Sequence, residues 1–227
     1  MTGHDLREGR KRRGWTQQEA ARRLRVSQGY LSMLERERRS LPGNMAGAVL
    51  KTFEVSPLAL PFHGESAWAG VKLVEELSAL GYPGFARSRR RANWNPAELL
   101  LAALSWPNLE RRVAEALPWL ALTYYKMEWR LVIRKAKLHD LQNRLGLVVT
   151  LARRLTERQT GDSSAQLILV EGRLRPSMLA KTGTFCHENM TQAERRWLVE
   201  NSSVPAKQWN LLSDLSPEHL PHAEWKY

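Results

Sequence analysis

Residues 16–35 read TQQEAARRLRVSQGYLSMLE and carry the strongest folding signals in the chain. They open with a capping box, in which the Thr16 hydroxyl accepts the backbone N–H of Glu19 and the Glu19 carboxylate reaches back to Thr16. Ser27 can cap a second helix, which runs to about Arg36. The stretch therefore predicts two short helices joined by a turn of a few residues.

Three further helices are predicted around this pair. Before it, residues 6–13 form a short, strongly basic helix that Gly14 ends. After it, Pro-Gly-Asn at 42–44 opens an apolar helix, and Ser-Pro-Leu at 56–58 caps a last short one. Together these segments predict a compact unit of five helices that ends near Phe62.

Residues 5–60 resemble the helix-turn-helix domain of the XRE family, the phage-repressor-like bacterial DNA-binding proteins. The resemblance rests on residues in the expected order and spacing, namely Arg10, Gly14, Thr16-Gln17-Gln18-Glu19-Ala20-Ala21, Val26-Ser27-Gln28, Leu31, Met33-Leu34-Glu35 and Arg36-Glu37-Arg38-Arg39. It implies a lambda-repressor-like domain that binds double-stranded DNA. The helix from Thr16 would lie across the DNA backbone, and the helix from Ser27 would enter the major groove.

The residue pattern agrees with this placement. Apolar residues recur at helical spacing and bury one face of the two helices, namely Ala20, Ala21, Leu24, Val26, Leu31 and Leu34. The candidate base-reading residues are left outside: Ser27, Gln28, Gly29, Tyr30, Ser32 and Met33. Gln28 is the best of them, because its amide can donate and accept together, as the N6 and N7 edge of adenine requires. Gly29 leaves a gap in which a longer side chain could reach a base.

Other residues are predicted to contact phosphates, namely Thr16, Gln17, Arg36, Arg38 and Arg39. Gln17 lies in the first turn of its helix, where backbone N–H groups and the helix dipole favour an anion. The resemblance also implies a structural ion pair, in which Arg10 of the first helix meets Glu35 of the third. Arg25 stands where the family often has Gly, so the turn must accept a strained conformation or take another form.

The charge balance fits a polyanionic partner. Lys and Arg number 35 against 23 Asp and Glu, a formal net charge of +12 with an isoelectric point near 10.3. Residues 1–40 hold 11 of the basic and 5 of the acidic residues, so this segment carries half of the net positive charge. The single Cys186 excludes an intramolecular disulfide and favours a reducing compartment. No apolar run is long enough for a bilayer, so we expect a soluble, cytoplasmic protein without membrane contact.

Residues 67–215 are predicted to form a second, larger helical domain, and residues 216–227 a loose tail. The protein as a whole is predicted to be all-α. A long helix is expected from about Trp129 to Arg158, with an apolar stripe, the 138–155 stripe, made of Leu138, Leu141, Leu145, Val148, Ala152 and Leu155. Two interpretations stay open, since the stripe could be the seam of a homodimer or could pack inside its own domain.

Nothing in the sequence marks an active site, a cofactor site or a metal site. It lacks a glycine-rich phosphate loop, an H-E-x-x-H motif and a recognisable Ser-Lys pair, so we predict no catalytic residues. Cys186-His187 and the distant His219 and His222 are better explained as a buried thiol and surface imidazoles. The arginine run at 87–91 is explained as a solvated loop.

These patterns predict a sequence-specific DNA-binding transcriptional regulator, an autoregulating repressor that acts as a dimer. Residues 73–155 look similar to the carboxy-terminal regions of some regulators that act as antitoxins or defence-operon controllers. One alternative is therefore an antitoxin whose carboxy-terminal domain neutralises a separately encoded toxin. Another is a non-specific nucleoid-type DNA-binding protein, which would leave Gln28 without a role.

Overall fold

The computed structural model describes residues 1–86, 90–156 and 161–220. Over these ranges the chain is mostly helical, which confirms the all-α interpretation. It divides into two compact units. Unit 1 contains residues 1–63 and 90–95, and unit 2 contains residues 64–86, 96–156 and 161–220.

Unit 1 contains the predicted helices in the predicted order. They are α1 (Gly3–Arg12), α2 (Gln17–Leu24), α3 (Gln28–Glu35) and α4 (Gly43–Phe53), followed by one 3-10 turn at Pro57–Ala59 in place of a fifth α-helix. Helix α1 begins before residue 6 because Thr2 and Asp5 form a capping box of their own. The capping box of Thr16 and Glu19 is present, and the Ser27 hydroxyl accepts the backbone N–H of Tyr30.

One continuous core holds unit 1 together. Its buried residues come from all four helices and the segment after them, and include Leu6, Ala20, Ala21, Leu24, Leu31, Leu34, Ala46, Val49, Phe53, Val55 and Leu60. Helix α1 approaches α4 closely, because a Cβ at Gly9 would lie 2.8 Å from that of Phe53. The segment 90–95 also packs here, where Asn95 Nδ2 donates to the carbonyls of Leu58 and Leu60 at 2.8 Å each.

Unit 2 is built from helices α5 to α12. These are α5 (Leu73–Ala79), α6 (Pro96–Ser105), α7 (Arg111–Thr123), α8 (Trp129–Leu138), α9 (Gln142–Leu155), α10 (Asp162–Leu174), α11 (Gln192–Asn201) and α12 (Val204–Gln208), with 3-10 turns at Glu65–Gly70, Arg175–Ser177 and Pro217–His219. Two strands of two residues each, β1 (Gly183–Thr184) and β2 (Leu211–Leu212), pair in parallel. They are too short to show the alternation that predicts a strand.

Helix α9 is the centre of unit 2. It contacts α7, α8, α10 and α12, and all of its residues from Gln142 to Ala152 except Arg144 are buried. The sequence of α6 is apolar around nearly its whole circumference, and that helix is buried from Pro96 to Leu104. A helix surrounded on all sides by neighbours must be apolar on every face. Helices α6 and α9 both come close to this condition.

The single long helix expected from Trp129 to Arg158 is wrong. The helix is interrupted between α8 and α9, where Asp140 adopts a left-handed backbone with φ of 55°. Residues 157 and 158, at the end of the predicted helix, lie outside the described ranges. The break divides the 138–155 stripe, because Leu138 at the end of α8 is 73% exposed, whereas Leu141, Leu145, Val148 and Ala152 are buried. This packing favours the interpretation that most of the stripe is core, and a seam along its whole length is excluded.

The carboxy-terminal residues divide into a described and an undescribed part. The 3-10 turn at Pro217–His219 and the buried Leu220 belong to unit 2, and residues 221–227 of the predicted loose tail lie outside the described residues. None of the helices in the described ranges combines the length and the apolar character that crossing a membrane requires.

Candidate nucleic-acid interface

The turn between α2 and α3 has a tight, hydrogen-bonded geometry. The N–H of Arg25 donates to the Arg22 carbonyl at 3.1 Å, and that of Val26 donates to the Ala21 carbonyl at 2.9 Å. This is a Schellman arrangement, which requires a left-handed residue at its centre. Arg25 supplies it with φ of 58° and ψ of 42°, so the turn keeps the glycine conformation without glycine.

The three helices of the candidate interface meet at one buried carboxylate. Arg10 Nε donates to Glu35 Oε1 at 2.6 Å and Arg10 Nη2 donates to Oε2 at 3.0 Å, a bidentate ion pair between α1 and α3. Gln17 Nε2 donates to the same Oε2 at 2.9 Å, and Arg10 Nη1 donates to the Trp15 carbonyl at 3.0 Å. We call these residues, Arg10, Gln17 and Glu35, the Glu35 cluster.

The Glu35 cluster is largely shielded from solvent. The side chain of Glu35 is 3% exposed and that of Arg10 is 13% exposed. Burial by itself would raise the pKa of Glu35, but hydrogen bonds from Arg10 and Gln17 and the charge of Arg10 outweigh it, so the pKa falls below its ordinary value. The hydrogen bond to Glu35 raises the pKa of Arg10. Both groups are therefore charged near neutral pH.

Two residues expected to contact phosphate already have intramolecular partners. The Gln17 amide carries two N–H donors, of which Glu35 uses one, so a second donor remains for an anion. The Thr16 hydroxyl donates to Glu19 and accepts from the Glu19 backbone, both at 3.2 Å. Their backbone N–H groups lie at the start of α2, where the helix dipole adds positive potential.

The outer face of α3 carries the predicted base-reading residues. Ser27, Gln28 and Gly29 are exposed at its amino-terminal end, and Tyr30, Ser32 and Met33 are half-buried further along. Around the helix, Gln28, Gly29, Ser32 and Met33 lie opposite the buried Leu31 and Leu34. A Cβ placed on Gly29 would meet no atom within 4 Å, so this part of the face is open.

The end of α3 directs a group of arginines outward. Arg36, Arg38 and Arg39 are exposed, and Arg39 lies 5.9 Å from the centre of the Tyr30 ring. Between them Glu37 takes a left-handed backbone with φ of 56°, and its carboxylate accepts the N–H of Gly3 at 3.0 Å. The N–H of Arg38 donates to the Met33 carbonyl at 2.9 Å, so this is a second Schellman turn. The sequence does not predict it, because Glu37 carries no local signal for it.

The structure adds two basic residues to the interface region that the sequence did not place. Arg23 lies 4.2 Å and Arg13 lies 5.5 Å from the centre of the Trp15 ring, immediately before α2. The ring is itself held by Phe53, with ring centres 6.0 Å apart. This Arg–Trp–Arg contact joins residues from separate parts of the chain. The only sequence signal for it is the pair of arginine runs on either side of Trp15.

The remaining candidate residues are described only in part. Cys186 is buried, which raises the pKa of its thiol to about 11, whereas His187 is exposed. His222 lies outside the described residues, and within the described ranges no three His, Cys, Asp or Glu side chains are grouped for a metal ion. Of the arginine run, Arg90 is exposed and Arg87 lies outside the described ranges.

The order of the helices, the turn at Arg25 and the outward face of α3 define a helix-turn-helix DNA-binding domain. A family model described as helix-turn-helix matches residues 6–60, about a quarter of the chain, and the resemblance to the XRE family is thereby confirmed for this domain. No curated protein and no solved structure matches the chain. A domain of this family implies that the protein binds DNA.

Proposed function

We propose that the protein is a sequence-specific transcriptional regulator that binds its operator as a dimer and represses its own operon. The observation that carries the proposal is the exposure of Gln28 at the start of α3, on a helix whose other end is held by the Glu35 cluster. In this arrangement α3 enters the major groove, and the amide of Gln28 faces the edge of an adenine.

Two kinds of contact divide the work. The amino end of α2 and the exposed Arg36, Arg38 and Arg39 supply phosphate contacts, which set the position of the domain on the duplex. The outer face of α3 supplies the base contacts, which give specificity. Because Arg10 and Gln17 both hold Glu35, the base-reading and phosphate-contacting helices are connected rigidly, as accurate readout requires.

Dimer formation supports both affinity and repression. One helix-turn-helix domain contacts few bases, and two domains on half-sites about one helical turn apart combine their binding energies. A dimer across two half-sites also excludes other proteins from that stretch of DNA. This is the physical basis of repression at a promoter.

The test begins with selection of binding sites from random-sequence duplex DNA. The most enriched sequence, here called the selected duplex, should bind at least about 10³-fold more tightly than a scrambled duplex at the same salt concentration. A nucleoid-type protein would bind both equally. A reporter gene behind the region upstream of the protein's own gene tests repression, since expression that does not fall when the protein is present would contradict it.

A further inference from the structure

One face of α10 is apolar and, among the described residues, exposed. Ala165, Ile168, Leu169 and Gly172 follow one another at intervals of 3, 1 and 3 residues, so they form a continuous strip along the helix, here called the α10 stripe. Ile168 is 54% and Leu169 57% exposed, and a Cβ on Gly172 would meet no atom within 4 Å. In the part of the chain that the structure describes, the larger part of both side chains is therefore open to solvent.

The stripe cannot turn inward, because the opposite face of α10 is fixed. Leu167, Val170 and Leu174 are wholly buried, and α10 packs along α9. Glu171 strengthens this attachment by accepting a hydrogen bond from Arg153 Nε of α9 at 2.8 Å. Exposure of the stripe is therefore a property of the folded unit.

We propose that a second copy of this chain covers the α10 stripe, with the two α10 helices antiparallel about a twofold axis. The proposal rests on the dimer of the proposed function and gives it a contact surface. A twofold axis between Ile168 and Leu169 places each against the other in the partner, and it places Ala165 against Gly172. The stripe is thus complementary to itself, and its two small residues allow close approach of the helices.

The charges beside the stripe select this arrangement. Asp162 in the first turn of α10 and Arg173 in its last turn are both exposed, and helical geometry puts them on the same flank of the stripe, about three turns apart. An antiparallel copy brings Asp162 of one chain to Arg173 of the other, twice in each dimer. In a parallel copy about a twofold axis, Asp162 of one chain and Arg173 of the other would lie at opposite ends and on opposite flanks of the helix pair, so these charges would stay unpaired.

This local complementarity matters because the chain as a whole repels itself. Each copy carries a formal charge of +12, so self-association requires a contact with matched charges. The 13 residues of α10 span about 20 Å, which makes the contact small by the standard of stable dimers. We therefore expect a weak dimer in solution that is strengthened when both domains hold one duplex.

The first test is the Leu169→Asp variant of the full chain, with Leu138→Asp as the matched control. Both leucines are exposed, so both variants should keep the helical circular dichroism signal and melting temperature. In sedimentation equilibrium over a protein concentration series, wild type and Leu138→Asp should form dimers. Leu169→Asp should raise the dimer Kd at least about tenfold. A wild-type protein that stays monomeric, or equal dimerisation of both variants and wild type, overturns the proposal.

Charge reversal tests the pairing itself. Asp162→Arg and Arg173→Asp should each weaken the dimer, and the double variant should restore it, because the opposite charges then meet again in exchanged positions. Failure of the double variant to regain at least part of the lost association contradicts the antiparallel pairing.

The second test separates this proposal from the proposed function. On the selected duplex, Leu169→Asp should lose affinity for the two-half-site form and keep the wild-type affinity for a single half-site. If Leu169→Asp binds both forms like wild type, the α10 contact is refuted while the regulator function stands. If wild type does not distinguish the selected from the scrambled duplex, the proposed function fails, whatever the sedimentation result.

Discussion

Gln17, the first residue of α2, donates a 2.9 Å hydrogen bond to Glu35, the last residue of α3. The same carboxylate receives two hydrogen bonds from the Arg10 guanidinium of α1. The angle between the two helices of the motif is therefore held by polar contacts as well as by the apolar core. Loss of this one carboxylate should loosen the domain and the DNA-reading face together.

Glu35→Ala should destabilise unit 1 by about 3 kcal/mol, because it leaves the Arg10 charge poorly solvated and without its partner. Denaturant unfolding of the full chain, monitored by hydrogen exchange at the amides of α1 to α3, measures the effect. Glu8→Ala is the control, since Glu8 pairs with Lys11 at the surface and its loss should cost under about 1 kcal/mol. Equal protection in the two variants would show that the Glu35 cluster contributes little.

The Glu35 cluster should also make unit 1 sensitive to acid. The folded pKa of Glu35 is lowered below its ordinary value of 4.5, so its charge stabilises the fold above that pH, and this stabilisation is lost as the pH falls through the lowered pKa. We expect the stability difference between wild type and Glu35→Gln to be constant near neutral pH and to shrink in acid below about pH 4.5. Unfolding curves recorded at a series of pH values test this, and a difference that does not change with pH contradicts it.

Gln28→Ala should cost about 1 to 3 kcal/mol of binding free energy on the selected duplex and little on the scrambled one, because it removes a base contact and leaves the phosphate contacts in place. Fluorescence anisotropy with both duplexes at one salt concentration measures the two losses. Equal losses on the two duplexes would show that Gln28 does not read a base.

Arg38→Ala should weaken binding to both duplexes alike. One phosphate contact fewer releases fewer counterions, so the slope of log affinity against log salt concentration should become shallower by about 0.9. Titrations at several salt concentrations give the slope, with Arg130→Ala, an exposed arginine of unit 2, as the control. An unchanged slope would place Arg38 away from the DNA.

Gly146→Ala should destabilise unit 2 by about 1 to 3 kcal/mol, because a methyl group there would enter the indole ring of Trp209. That ring cannot easily move, since it is fully buried and its Nε1 donates to Thr150 Oγ1 at 2.8 Å. Gly29→Ala, the control, should instead stabilise α3 by up to about 1 kcal/mol, since nothing lies near its Cβ position. Thermal melts of both variants give the two signs, and a neutral Gly146→Ala would show that Trp209 can shift.

Most of unit 1 could be predicted because its signals are local. The capping box of Thr16 and Glu19 lies within four residues, and the amphipathic pattern of α3 identifies its outer face without knowledge of its neighbours. The Gln17–Glu35 contact could not be predicted from local signals, because it joins residues 18 positions apart and nothing in the residue types says that this Gln meets this Glu.

In unit 2 the sequence pattern was enough to predict a helical fold. The ends of the helices and the exposure of their faces depend on long-range packing. The 3-4 spacing of the 138–155 stripe continues across the break at Asp140, since periodicity reports which side of a helix is apolar and not whether the helix is unbroken. The stacking of Trp209 on Gly146, and the exposure of Ile168 and Leu169, follow from where the other helices lie. Local hydrogen bonds and the periodicity of apolar residues depend on neighbouring residues, so the sequence shows them directly. Burial depends on residues that are distant in the chain and that folding brings together.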